Sequence, residues 1–264
     1  MASQALRQAG LTLMEMPTQP VSLFAKLTDM NIPIQLQGTF GVGIYSFADA
    51  ARFIGAETRE LRRWMQGYTT TRGGEKYEYR PLWTSQLADA GIDGIDFRDL
   101  IELRFIRTFV TGGVPLFLIR RTIQEIRERL GTEYPFTSTA FKTDGRRIFM
   151  EILDENGDRA LVDVVKRQNV MAKVIGPSLR EGVELNLDDE ATHWYPVSRS
   201  KAIVFDPHRS FGHPIITEAG VPTVAIAETL RAEDGDMGRV ARLYGISAAD
   251  VRKAVAFEQR VAAA

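Results

Sequence analysis

The chain has 264 residues, of which 44% are hydrophobic and 25% charged, with a formal net charge of −1. That length supports two or three small domains with cores of their own, and the composition is that of an ordinary soluble protein. The complete lack of cysteine excludes disulfides, thiolate metal sites and cysteine nucleophiles, and a charge so near zero means that any nucleic-acid surface must be local. No run approaches the roughly 18 apolar residues of a membrane span, and the start lacks a charged segment followed by an apolar one. A cytoplasmic protein without membrane contact is therefore expected.

Residues 1–42 say least. MASQALRQAG supports a turn or two of helix, and Pro17, Pro20 and Pro33 punctuate the residues after it. A flexible arm is the expectation, because termini are often loose; a piece that orders on a partner and an upstream start codon are the alternatives.

The stretch from Tyr45 to Tyr79 organises the rest. Ser46 can cap a helix, because its hydroxyl can accept one of the backbone N–H groups left free at a helix start. Phe47, Ala50, Ala51 and Ile54 follow at one-face helical spacing, and Gly55 is the natural stop, since a left-handed residue costs glycine nothing. A second helix then buries Leu61, Trp64 and Met65 while Thr58, Arg59, Arg62, Arg63 and Gln66 point elsewhere. Two helices joined this tightly, one with a polar and basic outer face, have the form of a helix-turn-helix whose second member enters the major groove. From Thr69 to Tyr79 the pattern suits a hairpin turning at Gly73-Gly74, a wing with Arg72 and Lys76 at its tip. From Ser46 to Arg80 seven basic side chains face five acidic ones, a net +2, whereas Thr132 to Ser200 carries −3. The asymmetry has the sign that a local nucleic-acid surface needs.

Phe97 to Gly131 reads as two helices broken at Gly112-Gly113, with Ile119, Ile123, Ile126 and Leu130 in a stripe along the second. Beyond them Phe136 to Phe141 alternates, Asp144-Gly145 makes a turn and Arg147 to Ile152 returns as a strand. The acids of Asp154 to Asp158 do not form a calcium loop, for want of further ligand positions and a closing glutamate. Leu161 to Ile175 is ambiguous between strand and helix. Val183 to Leu187, Thr192 to Val197 and Ala202 to Phe205 read as strands. Three short helices come next, Val224–Ala232, Met237–Tyr244 and Ala248 to about Val261, the last behind a Ser247/Asp250 capping box. Val224, Ala227 and Leu230, then Val240, Ala241 and Tyr244, then Val251, Ala254, Val255 and Glu258 set out their inner faces.

Two family resemblances are carried by these motifs. Residues 44–131 are similar to the winged helix-turn-helix of MerR-type regulators, with Leu61-Arg62-Arg63-Trp64 at the end of the recognition helix and FRDL…LRFIR…GGVPLFLIRRTIQEI as the helices after the wing. In that family the arginine matching Arg63 contacts the DNA backbone and wing residues contact phosphate, which singles out Arg63 and Arg72. The wing sequence differs from the family's, no long dimerisation helix ends the chain, and the lack of cysteine argues against its metal-sensing branch. The tail, Asp206-Pro207, Phe211-Gly212-His213-Pro214-Ile215-Ile216 and Gly220-Val221-Pro222-Thr223 ahead of the helices, resembles the small domain of VapB-type antitoxins. It departs from them at Ala219-Gly220-Val221, where the shorter members carry Gly-Thr-Arg. Together the two halves resemble the longer VapB-type antitoxins, whose partners are VapC-like PIN-domain ribonucleases.

The fold expected is α+β: an arm over 1–42, a MerR-like winged helix-turn-helix with its helix pair over 43–131, a β-rich connector over 132–202, and a three-helix, helix-turn-helix-like domain over 203–264. The function expected is a DNA-binding antitoxin that represses its own operon as a homodimer and neutralises a PIN-like nuclease. Thr58, Arg59, Arg62, Arg63, Gln66, Arg72 and Lys76 are its candidate contacts to double-stranded operator DNA, and Arg252 and Arg260 its candidates for the toxin. A one-component regulator with a small ligand in the β-rich middle and an adaptor without DNA binding are the alternatives. No enzyme, cofactor or metal site is expected. Asp206, His208 and His213 lack a fourth ligand at a telling spacing, and no serine, histidine and acid arrangement stands out, His193 beside Trp194 included.

Overall fold

The computed structural model describes residues 43–137, 151, 182–187, 190–197 and 199–263. The arm, the Asp144-Gly145 hairpin turn, the Asp154 to Asp158 turn and the Leu161 to Ile175 stretch lie outside the described residues. Glu151, the one described residue of the expected return strand, is helical.

A two-residue strand, β1 (Ile44–Tyr45), leads into α1 (Phe47–Ile54). Ser46 Oγ accepts the Asp49 N–H at 3.0 Å, and Gly55 closes the helix at φ 67°. Phe53 is buried beside Phe47, Ala50 and Ala51, while Ile54, expected inside, is only partly covered. After Ala56 and Glu57 comes α2 (Thr58–Gln66), followed by an antiparallel hairpin of β2 (Tyr68–Arg72) and β3 (Glu75–Tyr79). Its turn is Gly73-Gly74, with φ of 60° and 86°, as the sequence indicates.

A short helix α3 (Gln86–Asp89) and strand β4 (Ile95–Asp96), paired with β1, precede the central helix α4 (Phe97–Thr111). Leu100, Ile101, Leu103, Phe105, Ile106 and Phe109 are all buried, so α4 is covered on most of its circumference. Its start is locked by a capping box in which Asp96 Oδ1 accepts the Asp99 N–H at 2.7 Å and Asp99 Oδ2 accepts the Asp96 N–H at 3.4 Å. Asp99 also accepts the Trp83 indole N–H at 2.6 Å and the Ser85 hydroxyl at 2.5 Å. One buried carboxylate thus ties the segment after the hairpin to the helix that forms the core. After Gly112-Gly113, α5 (Leu116–Leu130) presents Ile119, Ile123 and Ile126 inward.

The described part of the connector contains a second hairpin, β5 (Val183–Leu185) with β6 (Ala191–Trp194). The alternation that suggests a strand as far as Leu187 overshoots. The Asn186 carboxamide oxygen accepts the Glu190 N–H at 2.9 Å and bends the chain, leaving Leu187 fully exposed. A further pair, β7 (Ile203–Val204) and β8 (Ile215–Ile216), leads into α6 (Thr223–Ala232), α7 (Met237–Tyr244) and α8 (Ala248–Ala262). Ahead of α8, Ser247 Oγ accepts the Asp250 N–H at 3.1 Å. The inner faces differ from expectation on α6 and α8: Val224 is 38% exposed and Ile226 is buried in its stead, and Phe257 and Val261 join Val251 and Ala254 inside.

These helices share their core with α1. Tyr45, wholly buried, packs its ring against Phe53, Phe205 and His213, and Phe205 meets Phe53, Trp194 and Phe257 at centroid distances of 5.0, 4.5 and 6.1 Å. Truncating so central a ring to alanine costs about 3–5 kcal/mol. The Tyr45 hydroxyl donates to the Gly212 carbonyl at 2.7 Å. Arg52 on α1 lies 3.9 Å from Glu258 on α8, whose other oxygen accepts the Thr223 hydroxyl at 2.5 Å.

Candidate nucleic-acid interface

The outward face of α2 is built from its buried one. Leu61, Trp64 and Met65 lie beneath the helix, which leaves Thr58, Arg59, Arg62, Arg63 and Gln66 exposed. Two contacts hold the helix from below and behind: Glu60 pairs with Arg107 of α4 at 3.1 Å, and the Leu82 N–H donates to the Trp64 carbonyl at 2.7 Å. The exposed side chains therefore rest on a fixed base.

Gly67 joins α2 to the hairpin at φ +73°, where an added Cβ would come within 2.4 Å of the Tyr79 carbonyl oxygen. Only glycine lets the backbone pass this close, and the passage sets the direction in which the hairpin leaves. The base of the hairpin is braced by stacked Tyr68 and Tyr79, 4.6 Å between centroids, with the Arg63 guanidinium 5.0 Å from the Tyr68 ring. Arg120 of α5 donates to the carbonyls of Arg80 and Pro81. Arg72 and Lys76 flank the Gly73-Gly74 turn on opposite strands, where Arg72 pairs with Glu75 and Thr71 with Lys76. Both are exposed.

Arg62 and Gln66 are not left to solvent alone. Asp93, in the turn before β4, accepts two bonds from Arg62 at 3.3 and 3.1 Å and one from Gln66 Nε2 at 2.8 Å. The Arg62 guanidinium also lies 4.4 Å from the Phe47 ring. Nothing in the local spacing marks Asp93, because the fold brings it to α2 from 27 and 31 residues away.

Arg252 and Arg260 are exposed on α8, the second with its guanidinium 5.4 Å from the Phe257 ring. Between α6 and α8 a groove of about 490 Å³ is lined by Arg52, Val224, Leu230, Arg231 and Val255, among others. A smaller polar cavity of about 210 Å³ touches Asp96, Asn186, Glu190, Thr192 and His208. Burial, with Asp99 nearby, raises the Asp96 carboxyl to about 7.

Asp206, His208 and His213 do not converge. Asp206 Oδ1 accepts the His208 backbone N–H at 2.9 Å, while His213 packs tilted against Tyr45 and edge-on to Phe53, where burial lowers its pKa. His193 is the imidazole nearest Asp206, at 3.6 Å. Among the described residues no three side chains are grouped to hold a metal ion, and no helix is long and apolar enough to cross a membrane.

Residues 43–123, which span α1, α2, the hairpin, α4 and half of α5, match the family model described as "Putative DNA-binding HTH domain". Over 231 residues the chain is 24% identical to "Putative antitoxin VapB45" of Mycobacterium tuberculosis (strain ATCC 25618 / H37Rv), an alignment covering 84% of this chain and 96% of that protein. The chain resembles a VapB-type antitoxin with a helix-turn-helix. In three dimensions it is similar to the crystal structure of Rv2018 from Mycobacterium tuberculosis, with a TM-score of 0.59 at 20% identity, covering 81% of this chain and 97% of the other. The α+β architecture is thus shared with a solved structure, and the helix-turn-helix read from Tyr45 onward falls within the matched region.

Proposed function

We propose that the chain is the DNA-binding antitoxin of a type II toxin–antitoxin pair, which represses its own operon and neutralises a VapC-like PIN-domain ribonuclease. The observation that carries the DNA half is the α2 face: a buried Leu61, Trp64 and Met65 set five polar or basic side chains outward, next to a hairpin tipped by Arg72 and Lys76. In this reading residues 43–131 bind DNA in the manner of a MerR-like winged helix-turn-helix, 132–202 connect, and 203–264 face the toxin. Two copies enter successive major-groove faces about one helical turn, or a multiple, apart. Arg63, Arg72 and Lys76 hold phosphates, and Arg59, Arg62 or Gln66 read base edges, since each can form paired bonds to one.

The test is titration of a duplex taken from upstream of the reading frame at several salt concentrations. About four phosphate contacts per half-site imply a log–log slope of roughly −7, and a salt-independent or absent association removes the reading. For the toxin half, co-expression with the adjacent reading frame and a pull-down decides whether a nuclease partner exists. A chain cut at Ser200 is a poor probe of where the toxin binds, because Tyr45 and Phe53 would lose Phe205, which lies between them and Phe257. The surface substitutions Arg252→Ala and Arg260→Ala leave that core intact, and a toxin held as tightly by both variants moves the contact elsewhere. Among the described residues of the β-rich middle, a small-ligand sensor would find the 210 Å³ cavity beside β5 and β6, which is below the size usual for ligand sites.

A further inference from the structure

Asp93 sits in a turn that is itself pinned. The Ile92 N–H donates to the Leu87 carbonyl at 2.8 Å, the Gly94 N–H to the Ile92 carbonyl at 3.0 Å, and Ile95, two residues on, pairs with Tyr45 across β1 and β4. Its carboxylate is therefore presented at a fixed place, and there it meets two residues one helical turn apart on α2. Arg62 offers both terminal nitrogens to the two oxygens, and Gln66 adds its amide N–H to one of them. Arg62 Nη1 also lies 3.4 Å from the Gln66 oxygen. The three polar groups form one closed set at the surface, with Arg62 44% and Asp93 59% exposed.

The chemistry of this set matches what the same donors would do on a duplex. A carboxylate is a pair of acceptors in one plane, as are O6 and N7 of guanine for arginine, while glutamine pairs with N7 and N6 of adenine. Two of the three candidate base readers, Arg62 and Gln66, are thus engaged before any DNA arrives, by an anion that is also repelled by phosphate. A duplex without the right base pair supplies phosphate at the rim but no planar acceptor pair, so on it Arg62 and Gln66 keep the Asp93 carboxylate and give nothing up.

We infer that Asp93 is a specificity-determining residue of this interface: its carboxylate competes with the base edge for Arg62 and Gln66, a cost met only where paired acceptors displace it, and so it weakens cognate binding more than non-cognate. This rests on the DNA-binding reading above. Because the pair is solvent-exposed, the effect is modest, about two- to fivefold in affinity.

The experiment compares wild type with Asp93→Asn on two duplexes at one salt concentration: the tightest-binding piece of its own upstream region, and a scrambled duplex of equal length and composition. Asparagine keeps the shape and removes the charge. The cognate duplex should bind about two- to fivefold tighter to the variant, the scrambled one by less, so that the ratio of cognate to scrambled affinity rises; in an Arg62→Ala/Gln66→Ala background the ratio should no longer respond to Asp93→Asn. An unchanged or lowered ratio, or a variant weaker on both duplexes, overturns the role assigned to Asp93 while leaving DNA binding in place. A wild-type protein that binds neither duplex overturns both. Equal melting temperatures of wild type and variant show that the fold is not what changed.

Discussion

Gly212→Ala probes the seam where the C-terminal segment meets α1. The glycine has φ +84°, and a Cβ there would lie 2.4 Å from the Tyr45 hydroxyl oxygen and 3.0 Å from both Tyr45 Cζ and Gly43 Cα. A left-handed non-glycine residue costs about 1–2 kcal/mol. Moving the buried tyrosine aside also breaks its 2.7 Å bond to the Gly212 carbonyl and strands a buried hydroxyl, about 1–3 kcal/mol more. The expected loss is therefore about 2–5 kcal/mol, which urea denaturation measures directly. In a Tyr45→Phe background the hydroxyl is gone and the closest contact with it, so the same Gly212→Ala change should cost at least ~1 kcal/mol less. Losses that add to within ~0.5 kcal/mol, the behaviour of independent sites, would refute the argument that this oxygen is what the methyl group meets.

Two further outcomes are expected. Because burial raises the folded-state pKa of Asp96 from 3.8 to about 7, the native state takes up a proton that the unfolded chain does not bind between those values. Stability contributed by this group should be full near pH 4 and lost as pH rises to 7, at up to roughly 1.4 kcal/mol per pH unit. Asp96→Asn keeps a good helix cap and should flatten the slope of melting temperature against pH; an unaltered slope removes Asp96 as its source. Gly67→Ala, whose Cβ would press on the Tyr79 carbonyl, should redirect the hairpin and weaken duplex binding while α2 keeps its helicity by circular dichroism. Duplex affinity equal to wild type would show that the hairpin takes no part.

What the sequence makes legible here is what acts over one or two turns. Ser46, Gly55 and Gly73-Gly74 end or start elements through their own backbone chemistry, and Leu61, Trp64 and Met65 mark a buried face by spacing alone. The strand expected through Leu187 fails because period-two hydrophobicity does not register that Asn186 bonds the Glu190 backbone and turns the chain. The α6 face is rotated from expectation because its neighbours choose it: Thr223 is buried by its bond to Glu258 of α8, which swings Val224 outward and Ile226 in. Other features are invisible to any local pattern. Asp93 reaches α2 across 31 residues, Asp99 gathers Trp83 and Ser85 across 16 and 14, and Tyr45 finds Gly212 across 167. The exposure of the five candidates on α2 was within reach of sequence reasoning because it follows from the helix's buried face, and that of Arg72 and Lys76 because they flank a tight turn. The acid that restrains two of the α2 candidates was not.

The most direct test of the α2 face as a DNA-reading surface sets Arg63→Ala beside Arg62→Ala on a panel of duplexes differing by single base pairs. Loss of a phosphate contact at Arg63 should weaken all of them about equally, whereas loss of Arg62 should also relax the preference at one base pair by ~1–3 kcal/mol. Both variants binding every duplex as wild type does would mean that neither Arg62 nor Arg63 touches DNA.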